Sequence, residues 1–159
     1  FLGERSADEI FSVTTLTSYS SSDYNGFRPN PNTDISFRWR APASTTLVDV
    51  TNPNYEAQLE SREFATLTDY AAATGQDRNS VLLDYDIFVN VPPLDARDSE
   101  SLQTLYDAAD LDFRLRSGSA AIDRAAVLPG ITDGFTGQAP DLGALEFGAV
   151  APIYGPRPQ

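Results

Sequence analysis

The chain has 159 residues, with no Cys, Met, His or Lys, and 11 Arg set against 23 Asp plus Glu for a formal net charge of −12. This length suits one domain with a core of its own, since roughly 70 % of the unfolded surface can be buried at this size. The acidity weighs against nucleic acid and anionic membranes, whose phosphates are held by Lys and Arg, and the lack of Cys removes any disulfide framework or thiolate metal site.

No apolar run reaches the roughly 18 residues that would mark a membrane-spanning helix, and no basic start followed by an apolar stretch marks a signal peptide. Phe1-Leu2-Gly3 carries no initiating Met, so further residues are expected upstream. Residues 10–24 set Ile10, Val13, Leu16 and Tyr19 among Thr and Ser and read as extended strand. Ser22-Asp23-Tyr24-Asn25-Gly26 then supplies a tight turn, and Pro29-Asn30-Pro31-Asn32 an irregular loop.

Residues 35–40 alternate apolar and polar, which puts Ile35, Phe37 and Trp39 on one face of a strand and Ser36, Arg38 and Arg40 on the other. Residues 45–50 form a second short strand candidate, closed by Asn52-Pro53-Asn54. Thr66-Leu67-Thr68-Asp69 is a capping box, and Leu67, Tyr70, Ala71 and Thr74 make one stripe of a two-turn helix over 67–74 that Gly75 ends in a left-handed cap. Residues 81–89 read as a strand, residues 101–109 as a weak helix in an acidic stretch, and residues 152–159 as an extended tail. No internal repeat is visible.

Three groups of residues are candidates for chemistry. Asp84 and Asp86, at i and i+2 of a strand, would share a face and offer two carboxylates toward calcium, which wants about 6–8 oxygens; the alternative is that they flank a turn or pair with Arg. Asp123, Asp133, Asp141 and Glu146 look like metal ligands in linear order, yet each adjoins a turn whose N–H groups need an acceptor, and structural capping is the preferred reading. Tyr24, Arg28, Arg38, Trp39 and Arg40 combine flat rings with guanidinium forks, the parts that an acidic polysaccharide needs; the alternative is that Phe37 and Trp39 are core, leaving the arginines exposed. Catalytic options are narrow: Ser has no His or Lys to activate it, and proton abstraction next to a uronate carboxylate would fall to Tyr and Arg.

The last third contains Asp112-Phe113-Arg114-Leu115-Arg116-Ser117-Gly118-Ser119-Ala120-Ala121-Ile122-Asp123, then Asp133-Gly134, then Asp141-Leu142-Gly143-Ala144-Leu145-Glu146. This order resembles the C-terminal ending of secreted bacterial right-handed parallel β-helix proteins of the pectate-lyase-like type. Thr74-Gly75-Gln76-Asp77, Ser80 and residues 84–88 fit the same outline, with Asn79 where a His is frequent and Tyr85-Asp86 in place of a Pro turn. Residues 22–29 fit more loosely.

The resemblance implies a mainly β fold: the C-terminal rungs of a right-handed parallel β-helix over residues 1–90, with a short α-helix near 67–74, and an irregular capping segment and tail over 91–159, all one structural unit. It implies a portion of a secreted or cell-surface protein that binds or processes acidic polysaccharide, with any lyase-like catalytic groove on upstream rungs and no catalytic set in this chain. The alternative is a non-catalytic structural or assembly subunit of a larger extracellular complex. Expected partners are polysaccharide, other extracellular subunits and the upstream β-helix segment, with no nucleic acid; no cofactor is expected beyond calcium at Asp84 and Asp86.

Overall fold

A computed structural model describes residues 9–31, 33–43, 46–93 and 98–150. Among them run seven short strands, β1 (Phe11–Thr14), β2 (Gly26–Phe27), β3 (Phe37–Pro42), β4 (Leu59–Phe64), β5 (Val81–Leu82), β6 (Phe88–Asn90) and β7 (Asp112–Leu115), with helices α1 (Leu67–Thr74) and α2 (Ser99–Gln103). The strands form three separate sheets, ordered β1-β3-β4, β2-β5 and β6-β7.

The alternation read at 35–40 holds from Phe37 to Arg40, where β3 runs, but Ser36, expected on the polar face, lies before the strand and is buried. Phe37 and Trp39 face inward from β3, Val13 of β1 lies opposite Trp39 in parallel register, and Phe64 of β4 lies opposite Phe37 in antiparallel register. On the outer face of the β3–β4 pair, Arg38 lies across from Glu63 and bonds it. Helix α1 closes this sheet as its sequence requires. The Thr66 hydroxyl accepts the Asp69 N–H, Gly75 ends the helix at φ 76°, and Tyr70 is the buried residue of the stripe.

Tyr70 gathers the core around it. Its ring stacks on Phe37 at 5.2 Å and meets Phe11, Trp39 and Phe64 at 5.7–6.4 Å, while Phe27 sits edge-on to both Phe11 and Phe37. A second, smaller cluster of Ile87, Leu115 and Ala121, flanked by Phe88, Ile122 and Leu142, lies under the last third of the chain.

The parallel β-helix expected from the resemblance is not the architecture. Only β1–β3 and β2–β5 are parallel, over four and two residue pairs; β3–β4 and β6–β7 are antiparallel, and no closed solenoid coil occurs among the described residues. Alternating hydrophobicity determines which face of a strand is buried but carries no information on the direction of its partner. Here β4 returns along β3 in the opposite sense and takes the edge that a stacked coil would have used.

Other elements also differ from their sequence expectation, for local reasons. The last cross-strand bond of β1 runs from the Thr15 N–H to Arg40 O, and beyond it the Thr15, Thr17 and Ser20 hydroxyls bond one another at 2.5–3.3 Å and Thr15 Oγ1 accepts the Thr17 N–H, so local bonds take over from the ladder. Residues 46–50 form no strand, and the partner of β3 is β4 instead. The strand expected over 81–89 is interrupted where the Asp84 carboxylate accepts the Tyr85 N–H and starts a 3-10 turn at Tyr85–Ile87. The weak helix expected over 101–109 divides into α2 and a 3-10 turn at Ala108–Asp110. The expected tail falls in residues 151–159, outside the described residues. Among the described residues no helix is long and apolar enough to cross a membrane.

Candidate functional site

Two segments more than fifty residues apart are laced together beside the sheet. The Ser22 N–H donates to Gln76 Oε1 at 2.7 Å, the Asp77 N–H to the Ser22 carbonyl at 2.8 Å, and the Asn25 N–H to Ser80 Oγ at 2.8 Å. Asn25 Nδ2 donates to Asp77 Oδ1 at 2.8 Å, and the Asn79 N–H and Nδ2 donate to the two Asp23 oxygens at 2.8 and 2.7 Å. The ladder continues into β2 and β5 through Val81 N–H to Asn25 O and Leu83 N–H to Phe27 O.

This lacing holds Tyr24 in the left-handed region, at φ 56°, where a bulky side chain is strained by about 1–3 kcal/mol. Asp23 Oδ1 accepts the Tyr24 N–H at 2.9 Å and secures the conformation. Asp77, at φ 50°, is buried behind it; its carboxylate and burial together push the neighbouring Tyr70 hydroxyl well above the ordinary phenol range, burial being the larger cause.

A second knot lies in the last third. Asp141 Oδ1 accepts the Asp123 N–H at 2.8 Å and Oδ2 the Phe147 N–H at 2.6 Å, Glu146 accepts the Asp141 N–H, and Asp133 accepts the Gly130 N–H. Asp123, left-handed at φ 57°, accepts the Gln138 and Ala139 N–H groups at 2.7 and 3.1 Å. All four acidic residues thus serve backbone N–H groups, as their turn settings implied, and among the described residues no group of three or more acidic, His or Cys side chains is arranged to hold a metal.

Between lacing and knot lies a cleft of about 580 Å³, to which the lacing contributes Tyr24, Arg78 and Asn79 and the knot Arg124, Ala125 and Val127. Each arginine follows an aspartate of positive φ, Asp77 before Arg78 and Asp123 before Arg124, so each exposed guanidinium stands on a turn whose backbone is tied down. Neither Arg78 nor Arg124 makes a hydrogen bond or ion pair with the described residues, although Arg78 acts through space on Asp23.

The other described arginines are engaged within the chain. Arg28 bonds Asp84 at 2.7 Å and stacks over the Tyr85 ring, Arg38 bonds Glu9 and Glu63, and Arg40 bonds the Glu56 carboxylate and carbonyl at 3.0 Å. Arg62 and Arg116 donate to the Ala73 and Val89 carbonyls, and Arg114 grips Asp112.

The glycan-binding set expected from sequence therefore does not converge. Arg28, Arg38 and Arg40 direct their forks at this chain's own carboxylates, and Trp39, 4 % exposed, packs in the core. Tyr24 alone of the five lines the cleft, 39 % exposed. The premise for calcium at Asp84 and Asp86 also changes: the chain turns there instead of running extended, so the two carboxylates lose the shared strand face, and Asp84 is committed to Arg28 and the Tyr85 N–H. Arg78, Asn79 and Arg124 were missed by sequence reasoning, and the one local signal for them is the pair of Asp-Arg steps at turns.

Asp23 offers a pH test of the lip. Against the desolvation that would raise it, hydrogen bonds from Asn79 and Tyr24 and the charge of Arg78 hold the Asp23 carboxyl below its ordinary 3.8. A depressed carboxylate contributes stability that is present above 3.8 and lost as pH falls through the lower folded value. A carbon-detected NMR titration should find Asp23 titrating below 3.8 and returning toward it in Asn79→Ala; a normal value in the parent protein would mean that the lip is not closed as described.

Compared with protein families, with curated proteins and with solved structures, the chain finds no match in any of the three.

Proposed function

We propose that this protein binds acidic polysaccharide, the carboxylate of one sugar being held between Arg78 and Arg124 with the Tyr24 ring against a sugar face. The observation that carries the reading is the pair of exposed guanidinium groups that line one cleft and have no partner among the described residues, where every other described arginine is engaged. Arg forks match carboxylates in a bidentate way and keep their charge at any physiological pH.

Arg78→Ala and Arg124→Ala should each weaken binding to an acidic oligosaccharide about tenfold or more, the scale of a lost charge-assisted hydrogen bond of ~1.5–3 kcal/mol. Arg38→Ala and Arg40→Ala should change it little, since those groups face their own carboxylates. Titration calorimetry at fixed ionic strength is the measurement; equal losses at all four positions, or no binding of any acidic glycan, would sink the reading.

A second reading is an assembly subunit of an extracellular complex. It is favoured by the exposed apolar run of Val127, Leu128 and Ile131, which are 53 %, 47 % and 78 % exposed.

A further inference from the structure

Resting on the acidic-glycan reading of the cleft, we propose that its ligand carries isolated carboxylates: an alternating glycan in which one uronate is flanked by uncharged, N-acetylated sugars, rather than a homopolyuronate or a densely sulfated chain.

Three observations lead there. The first is local charge. The cationic supply of the cleft is Arg78 and Arg124, and beside them stand the carboxylates of Asp23 and Asp123. Asp123 spends one oxygen on two backbone N–H groups, and the two aspartates set against the two arginines leave the cleft with little surplus of positive groups before a ligand arrives. One carboxylate set between the two forks is attracted, while a second on the adjacent sugar meets acidic surface on a chain of net charge −12.

The second is the nature of the walls. Next to Arg124 the cleft is lined by Ala125, Ala126 and Val127 and by Ala139, whose N–H is tied to Asp123 beside them, and none of these offers a side-chain donor to an anion. Methyl-bearing walls fit the C–H face of a neutral sugar or an acetyl group, and leaving a carboxylate or sulfate against them would desolvate it without a partner. On the other side the half-exposed Tyr24 ring, kept outward by its left-handed backbone, offers a flat apolar surface with a hydroxyl at its tip.

The third is size. A volume of 580 Å³ exceeds what one carboxylate needs, so the neighbouring sugars also lie within the walls and their charge matters. Polar capacity for such neighbours exists in the exposed Asn79 amide and the Ser80 hydroxyl, which suit sugar hydroxyl or amide groups.

The test uses the whole chain and three octasaccharides, one alternating glucuronate with N-acetylglucosamine, one of galacturonate alone and one heavily sulfated, titrated calorimetrically at low and at physiological salt. The alternating probe should bind about tenfold more tightly than either of the others at low salt, roughly one 1.4 kcal/mol step. The gap should narrow as salt rises, because the penalty on the denser polyanions is long-range repulsion, which salt screens. Val127→Arg, which adds a cation to the uncharged wall, should selectively strengthen the galacturonate probe. Binding of the galacturonate or sulfated probe as tight as that of the alternating one would overturn this inference and leave the acidic-glycan reading standing. No binding of any probe at either salt would overturn both.

Discussion

Tyr70→Ala is expected to lower the free energy of unfolding by about 3–5 kcal/mol, the range for emptying a large aromatic site in a core, and to give the largest loss of any single change considered for this chain. The ring is fully buried and is the common neighbour of Phe11, Phe37, Trp39 and Phe64, so its removal leaves a cavity bounded by both the sheet and α1. Tyr70→Phe separates packing from polarity. The hydroxyl is buried and lacks a well-formed hydrogen bond despite the Asp77 carboxylate beside it, so losing it should move stability by no more than about 1 kcal/mol.

Urea unfolding followed through the emission of Trp39, the only tryptophan and itself a neighbour of Tyr70, reports directly on this core. If Tyr70→Phe proved as damaging as Tyr70→Ala, the hydroxyl and Asp77 would hold the core together and the packing account would be wrong.

The second large effect is expected at Asp141, where Asp141→Ala should cost about 3 kcal/mol. Asp141 is 6 % exposed, and its two oxygens serve the Asp123 and Phe147 N–H groups, both of which would be left without an acceptor. Each is a charge-assisted bond of ~1.5–3 kcal/mol, and the two losses share one relaxation, so they do not simply add. Asp141→Asn keeps one acceptor oxygen and turns an amide N–H₂ toward the other donor, so an intermediate loss should follow.

Hydrogen exchange at the Asp123 and Phe147 amides should accelerate in both variants, and faster still in Asp141→Ala. Because Asp123 is the turn on which Arg124 stands, glycan binding should weaken in Asp141→Ala although residue 141 makes no contact across the cleft to Arg78. Unchanged exchange at both amides would show that this knot does not hold the last third of the chain.

Much of the local structure was legible in the amino-acid order. The helix at Leu67–Thr74 starts at Thr66 and stops at Gly75 because both end signals and the apolar stripe lie within a ten-residue window. The inward face of Phe37 and Trp39 followed from a period of two, and the structural duty of Asp123, Asp133, Asp141 and Glu146 from the turns around them. Short-range readings failed where side chains bonded locally instead: hydroxyl-rich residues 15–20 bonded to themselves and Asp84 capped a turn inside the expected 81–89 strand, competitions that strand propensity does not weigh, while residues 46–50 formed no strand and the expected 101–109 helix divided in two.

The candidate site was far less legible. Arg28, Arg38, Trp39 and Arg40 were grouped because they are near in sequence, but proximity along a strand says nothing of which carboxylate arrives on the neighbouring one. Glu63, Glu56 and Asp84, the partners that occupy those arginines, lie 25, 16 and 56 residues from them. The same long-range pairing left Arg78 and Arg124 over.

Sequence alone thus determined the elements whose stabilising contacts close within a few residues: one capped helix, the buried face of β3 and a series of Asp-anchored turns. Tertiary structure alone decided the direction of each strand's partner, the replacement of a stacked solenoid by three small sheets, and the meeting of Tyr24 and Arg78 with Arg124 across a cleft. The physical reason is that pairing direction and charge partnership are properties of two segments at once. Their free energy appears only when residues such as Asn25 and Ser80, 55 apart in the chain, come within hydrogen-bonding distance, and no local period records that event.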